Sequence, residues 1–471
     1  MLRSEQNHGA ATGWRPGSAT GSADSASMVR AAAAGKSSEL TMQNEANCRI
    51  DRRHLGLIAA EIDQIDVEND VVDPRTRQGS VKHKLRQVLT AAFAGTAAGC
   101  NGFAELEALT ENLGVGARKL LNLPCRIPDT TAADLVVRLQ PDQLRGVLYK
   151  RVKAANRAKR MVHDFVLRVV VLDGKTTTTF LHDDEDAKFN YGQINSATGQ
   201  ASVRTVTACL VSTPARPCLD ACPIPAETNE CGIYLTALDD LLQAYAHSLF
   251  DVVMYDSGAA SLANATATKD RGLDYVFILD KFQPTMYTEA QRLLGGKSLD
   301  SAQASTTDLD GSDAVRRYIW VSKLMTGYLE WTHLRTVVRV CSVRTDKTLG
   351  EPRVENRYYI SSIRHTKLSA DQWLEMIRRR WSVENQNHNT FDTILREDKR
   401  PWLLRPQGMV VMHLIRRLVY NMLAIFRSVT SRSETSRARP WNTLLIRTYN
   451  ALIRATRAVV EGIRPRAVAF S

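Results

Sequence analysis

Two acidic residues each close a run that predicts a buried strand. Phe165 to Leu172 reads FVLRVVVL and ends at Asp173-Gly174-Lys175; Phe250 to Tyr255 reads FDVVMY and ends at Asp256-Ser257-Gly258. Short runs rich in β-branched and apolar residues fit strands covered on both faces, and in open α/β sheets sites gather at the carboxyl ends of strands. Asp173 and Asp256 are therefore expected as neighbours, although Asp is also common after strands simply because it starts turns. A third acid comes from a helix. Ser369-x-x-Gln372 is a capping box that opens a helix running to about residue 390. Along it Trp373, Ile377, Arg380, Trp381, Glu384 and His388 recur at three- and four-residue steps and share one face. A Glu on such a face is unfavourable unless it is paired or binds a metal. Arg380, one turn earlier, is the plain structural partner; the chemical alternative is a cluster of three carboxylates. Hard oxygen donors without a thiolate favour Mg²⁺ or Mn²⁺ over zinc. Two such ions, about 3.5–4 Å apart, activate an attacking oxygen and stabilise the leaving one in phosphoryl transfer.

Charge points to the same substrate class. The 471 residues carry 62 Lys and Arg against 50 Asp and Glu, a formal charge of +12. Residues 376–471 hold 18 Lys and Arg against 6 Asp and Glu, so the excess is regional. A basic region of this kind suggests a polyanion, and beside a carboxylate-only site it suggests a phosphodiester. With 44% apolar and 24% charged residues, the chain is of globular type, which excludes a wholly disordered, collagen-like or disulfide-scaffold protein. The eight Cys include no CxxC pair; Cys218, Cys222 and Cys231 are grouped but have no clear fourth ligand at zinc spacing. Buried free thiols in a reducing cytoplasm are the expectation. The start lacks an apolar signal region, and the longest uncharged stretch, Gln87 to Ala104, is broken by Thr, Asn and Gly, so no membrane partner is expected.

Patterning divides the chain into four parts. Residues 1–47, rich in Ala, Gly and Ser, read as a disordered leader. Residues 48–160 read as a helical N-terminal domain, with helices at Leu55–Val67, Lys82–Ala94, Ala132–Leu139 and Gln143–Arg160. Residues 161–430 hold the two acidic strands, further strands at Ser202–Ser212 and Tyr275–Leu279, and a helix at Thr236–Ala246. That order describes a mixed α/β sheet covered by helices. Strand-like runs at Thr332–Val343 and Arg357–Ile363 place a β-rich insertion at about residues 285–368, before the Glu384 helix, and an apolar helix at Met409–Phe426 follows it. Residues 431–471 form a basic helical tail.

These pieces, in this order, resemble the bacterial insertion-sequence DDE transposases, in the branch called H-repeat-associated proteins. The resemblance runs from about residue 55 to residue 425. Asp73-Pro74-Arg75 through Ala91-Ala92-Phe93-Ala94-Gly95 resembles the branch's helical associated domain. Val171-Leu172-Asp173-Gly174-Lys175 resembles its first catalytic strand, Thr228-Asn229-Glu230 its Asn-Glu segment, and Val252-Val253-Met254-Tyr255-Asp256 its second acidic strand. Asp274-Tyr275-Val276-Phe277 with Gln283-Pro284 resembles the next strand and turn. Arg380-Trp381-Ser382-Val383-Glu384-Asn385, then His388 and Glu397-Asp398, resembles the C-terminal signature. The sequence departs from that pattern at the Thr176–Thr179 run, at Ile377 and Asn389 where aromatics stand, and at Phe391 where a Lys stands seven residues after the Glu.

The resemblance implies an RNase H-like core with Asp173, Asp256 and Glu384 as both catalytic and metal-binding residues, using Mg²⁺ or Mn²⁺ as two ions. It implies phosphate or DNA contacts at Lys175, Arg380, Asn385 and His388, element ends bound by the N-terminal helices, and a homodimer on double-stranded DNA in the bacterial cytoplasm, at the nucleoid. The expected activity is DNA strand cleavage and strand transfer. Its rivals are an inactive transposase-derived DNA-binding protein and a non-transposing nuclease on the same core.

Overall fold

The computed structural model describes residues 48–76, 79, 81–179, 192–194, 201–310, 313–345, 352–461 and 463. Contacts divide the chain into Met1–Ile50 and Asp51–Ser471, and all that follows concerns the second unit. The leader expected at 1–47 lies outside the described residues.

The elements that matter here begin with helices α1 (Leu85–Ala97) and α2 (Pro141–Arg157). Strands β1 (Val169–Thr179), β2 (Gly192–Ile194), β3 (Ala201–Leu210) and β4 (Cys218–Pro223) follow. Then come α3 (Tyr234–Tyr245), β5 (Val252–Tyr255), α4 (Leu262–Asp270) and β6 (Asp274–Leu279). Four long strands succeed them: β7 (Ala304–Asp310), β8 (Asp313–Ser322), β9 (Thr336–Thr345) and β10 (Pro352–Ser361). Helices α5 (Ala370–Arg380), α6 (Pro406–Ile425) and α7 (Trp441–Arg454) complete the set.

All ten strands join one mixed sheet, in which β2 and β4 share the outer edge of β3 and the order continues β3-β1-β5-β6-β10-β9-β8-β7. Strands β1, β5 and β6 are parallel, and β3 runs antiparallel to β1. This is an RNase H-like arrangement. Strand β10 pairs antiparallel with β6, so the β-rich segment expected at 285–368 prolongs the same sheet. Strands β7 and β8 escape the sequence pattern because Thr, Asp and Arg interrupt their apolar positions.

Strand β1 corrects one expectation. It does not stop before Asp173 but runs on to Thr179, paired with β3 through Asp173 opposite Thr207 and Lys175 opposite Thr205. Its parallel pairing with β5 ends at Val171 opposite Met254. The β-branched Thr176–Thr179 continue the antiparallel ladder, so Asp173 sits where β1 loses one neighbour and keeps the other.

Alternation along the strands sorts the core into two faces. Val169, Val171, Val252 and Met254 pack with Trp373 and Ile377 of α5. Val170, Leu172, Val253 and Tyr255 share the other core with Leu238 and Leu241 of α3 and with α6. Continuing the series puts Asp173 and Asp256 on the α5 face. The capping box of α5 forms as expected, with Ser369 Oγ accepting from the Gln372 amide.

Helix α6, with the turn after it to Thr430, is long and apolar enough to cross a membrane, and its most apolar stretch is entirely buried within the protein. It packs against α1 and α2 on one side and β3 and β4 on the other. Inside it Arg416 and Arg417 are fully buried, and Arg417 pairs with the equally buried Glu397. Burial alone would raise the Glu397 carboxyl, but Arg417, His413, Lys175 and Arg416 outweigh it and hold the group well below its usual range. The stability this carboxylate contributes is therefore present above the unfolded Glu value and is lost as pH falls through the depressed folded one. Glu397→Gln leaves buried cations without their counter-charge and should destabilise by about 3–5 kcal/mol, measured by urea unfolding at pH 7. An unchanged midpoint would show that the pair is not structural.

Candidate active site

The guanidinium of Arg380 stands among the three expected acids. Its Nη1 lies 3.2 Å from Glu384 Oε1, and its Nη2 lies 3.7 Å from Asp256 Oδ1 and 3.9 Å from Asp173 Oδ1. The helix-pairing reading and the carboxylate-cluster reading of Glu384 thus describe one arrangement. Arg380 is 3% exposed, whereas the side chains of Asp256 and Glu384 are 57% and 51% exposed. The cation is deep and two of the acids face the solvent.

The helix changes form where Glu384 leaves it. After α5 the chain widens into two π-helical turns, Val383–His388 and Thr390–Ile394, a device that re-aims side chains within a helix. His388 comes back to the cluster, its Nδ1 3.4 Å from Asp173 Oδ2. Burial, with Lys175 and Arg417 nearby, lowers the His388 imidazole to about 3, so it is neutral at physiological pH. Burial raises the Asp173 carboxyl to about 7; Arg380 opposes that shift, and Glu384, Asp256 and Glu230 add to it.

The prolonged sheet forms one wall of the site. Asp308 of β7 bridges Arg317 of β8 and Arg378 of α5. Two guanidinium carbons lie over the Trp381 ring, that of Arg317 at 4.8 Å and that of Arg357 at 5.0 Å from its centroid. Two grooves open on either side of Glu384. One, of about 850 Å³, is lined by Arg216, Arg378, Arg379, Asn385 and Asn389 among others; the second, of about 460 Å³, holds Asp256, Asp280 and Arg357. Arg216, Arg317 and Arg357 were not expected as site residues. No local motif marks them, since only the sheet brings them to Glu384.

Of the expected contact residues, Arg380, His388 and the exposed Asn385 gather here. Lys175 is a correction. It is 6% exposed, and its Nζ meets Asp392, lies 3.1 Å from Asp398 and stands 4.0 Å from Glu397. Its charge is matched inside the protein rather than presented to a phosphate, because the acids following Glu384 fold back over β1. Among the grouped cysteines, Cys218 and Cys222 are buried, as expected of structural thiols, and Cys231 is exposed. Cys222 lies close to Asp220 and Asp240, but the Arg145 guanidinium already serves both acids, with Nε 3.0 Å from Asp220 and Nη2 2.8 Å from Asp240.

The donor set of the main cluster fits a divalent metal. It is all carboxylate oxygen, it already surrounds a cation, and its most buried member is protonated more readily than an ordinary carboxylate. Asp173, Asp256 and Glu384 are the residues that would hold the ions.

The family model described as "Transposase DDE domain" matches residues 164–422. The "H repeat-associated putative transposase YhhI" of Escherichia coli (strain K12) is 22% identical over 347 residues, which cover 70% of this chain and 83% of that protein. A cryo-EM structure of the piggyBac transposase synaptic complex with hairpin DNA aligns over 84% of this chain and 81% of its own, at 10% identity and a TM-score of 0.37.

Asp173 provides a pH test without metal. Its folded value lies above the unfolded one, so its contribution to stability is fully present below the unfolded Asp value and is lost as pH rises through about 7. Asp173→Asn should therefore stabilise the metal-free protein at pH 8, by on the order of 1–4 kcal/mol, and the gain should vanish near pH 4. Thermal unfolding in EDTA across this range measures it; a gain independent of pH would contradict the assignment.

Proposed function

Because the chain belongs to the transposase DDE domain family, we propose that it cleaves DNA at the ends of an insertion sequence and joins them to target DNA. One observation carries this reading: three carboxylates from β1, the end of β5 and the extension of α5 converge within 4 Å of one guanidinium, beside a groove lined by four arginines and four acids. When bound, two Mg²⁺ or Mn²⁺ ions supply charge neutralisation and an acidified water.

The chain's own residues position and balance charge. Asp173, held from below by β3 and against His388, provides the least mobile carboxylate. Neutral His388 orients Asp173 without competing for the ions. Arg380, which lies between the three acids, is also placed to meet a non-bridging phosphate oxygen. Arg216 and Arg378 line the groove on one side of Glu384 together with the exposed Asn385, and stand where the phosphates of the strand being cut would pass. Hydrolysis of a phosphodiester leaves a 3′-hydroxyl and a 5′-phosphate; the same site then aligns that hydroxyl for in-line attack on a phosphodiester of a second strand, whose own 3′-oxygen leaves and takes up a proton, and positioning and charge stabilisation supply most of the rate.

The substrate is double-stranded DNA, in the cytoplasm of a bacterial cell. Two ends are processed together, so the working unit is a homodimer on DNA. The helices of residues 48–160 are assigned to end recognition.

The test is a nicking assay on plasmid DNA that carries the gene's own flanking sequence, with Mg²⁺ or Mn²⁺. Wild type should cut at a fixed flank position, and Glu384→Gln should lose about a thousandfold in rate while still retarding the flanking DNA in a gel. Binding without cleavage by wild type would favour the inactive DNA-binding reading, and equal cleavage by both proteins would remove Glu384 from the site. In the same assay Arg378→Ala should weaken DNA binding and flatten its dependence on salt, with a slope reduced by roughly one. An unchanged slope would place the strand elsewhere.

A further inference from the structure

The loop between β4 and α3 brings a fourth carboxylate to the strands that carry the triad. A methyl group added at Gly174 would lie 2.1 Å from both Cδ and Oε1 of Glu230 and 2.4 Å from its Oε2. The Glu230 carboxylate therefore rests against the backbone of the residue that follows Asp173, in space that only a glycine leaves open. The loop is tied down at the other aspartate as well. The Tyr255 hydroxyl donates to the Glu230 carbonyl over 2.9 Å, and Tyr255 immediately precedes Asp256. Arg204 of β3 donates to the Thr228 carbonyl and steadies the approach of the loop.

Faces matter here. Residue 174 points away from Asp173 by strand alternation, so Glu230 reaches the strand tips from the α3 side, while Glu384 reaches them from the α5 side. A half-buried carboxylate held toward other carboxylates is unfavourable until a cation joins them.

We propose that Glu230 is a fourth carboxylate of the metal site, giving an oxygen donor to the divalent ions from the face opposite Glu384. This rests on the triad reading above. Two divalent ions bring four positive charges; the triad offsets three of them, and Glu230 offsets the fourth. Gly174 is required because any side chain there displaces the donor.

The experiment is Mn²⁺ binding to the full-length protein without DNA, followed by the electron paramagnetic resonance signal of free Mn²⁺, together with the Mn²⁺ dependence of nicking. Glu230→Gln keeps the size of the side chain, and Gly174→Ala keeps all four carboxylates but displaces one. Both should weaken Mn²⁺ binding by about 10–100-fold and shift the nicking curve to higher Mn²⁺ by a similar factor, with melting in EDTA at or above the wild-type temperature for Glu230→Gln. Should that variant fail to fold, Glu230→Asp and Gly174→Ala decide the question. Wild-type affinity in Glu230→Gln and Gly174→Ala, with lost affinity in Asp173→Asn, would overturn the proposal and leave the triad standing. Wild-type affinity in Asp173→Asn as well would overturn the triad reading and the proposal together.

Discussion

Mutual repulsion of carboxylates is the constraint around which this protein is arranged. Asp173, Asp256 and Glu384 lie within reach of a single guanidinium, and like charges at such range disfavour one another's ionisation. Only a scaffold rigid on several sides keeps them there. Asp173 is held by an antiparallel ladder that continues six residues beyond it, to Thr179. Asp256 follows a four-residue strand buried at every position. Glu384 is held by α5, whose Trp373 and Ile377 are packed under the sheet. Arg380, rooted in the same helix, is the counter-charge that makes the metal-free fold tolerable.

The remaining parts serve that arrangement from a distance. Strands β7 to β10 build outward from β6, and Asp308 clamps Arg378 of α5 to their edge. The Glu384 helix is thereby fixed from above as well as from the sheet below. On the other side of β1, Lys175 gathers Asp392 and Asp398, so the chain after Glu384 is pinned to the strand that carries Asp173. The Glu397–Arg417 pair continues the same network into α6. A buried ion pair is weak evidence for stability as such, but here it ties α6 to the segment that follows Glu384.

What the sequence made legible was local. The alternation of Val169–Val171 and Val252–Met254, and the helical spacing from Trp373 to Glu384, depend on neighbours along the chain, and the three acids they singled out come together around Arg380. What stayed hidden depends on partners far away. Strand β1 was read as ending at Leu172 because Asp-Gly normally starts a turn, and only the pairing with β3 carries it on. Lys175 was read as a phosphate contact because its partners lie more than 200 residues later. The π-helical turns leave no pattern in composition. Glu230 was visible as part of an Asn-Glu segment, yet its position beside Gly174 follows from how the loop folds back, which no spacing rule encodes.

Two of the departures from the transposase signature are explained by the same internal network. Phe391 stands where a Lys is usual; it is fully buried, and the Arg417 guanidinium carbon lies 4.1 Å from its ring centroid. A Lys there would bring a further positive charge against Arg416 and Arg417, in a region with no solvent to receive it. Ile377, in place of an aromatic, is 1% exposed beneath the sheet, where it packs rather than contacts a ligand. Both changes therefore fall on the inner side of the Glu384 segment. Its outer side keeps Glu384, Asn385 and the Arg residues that line the groove. These two substitutions alter how the carboxylate is supported, whereas Asn389, also in place of an aromatic, lines the groove and changes the surface itself.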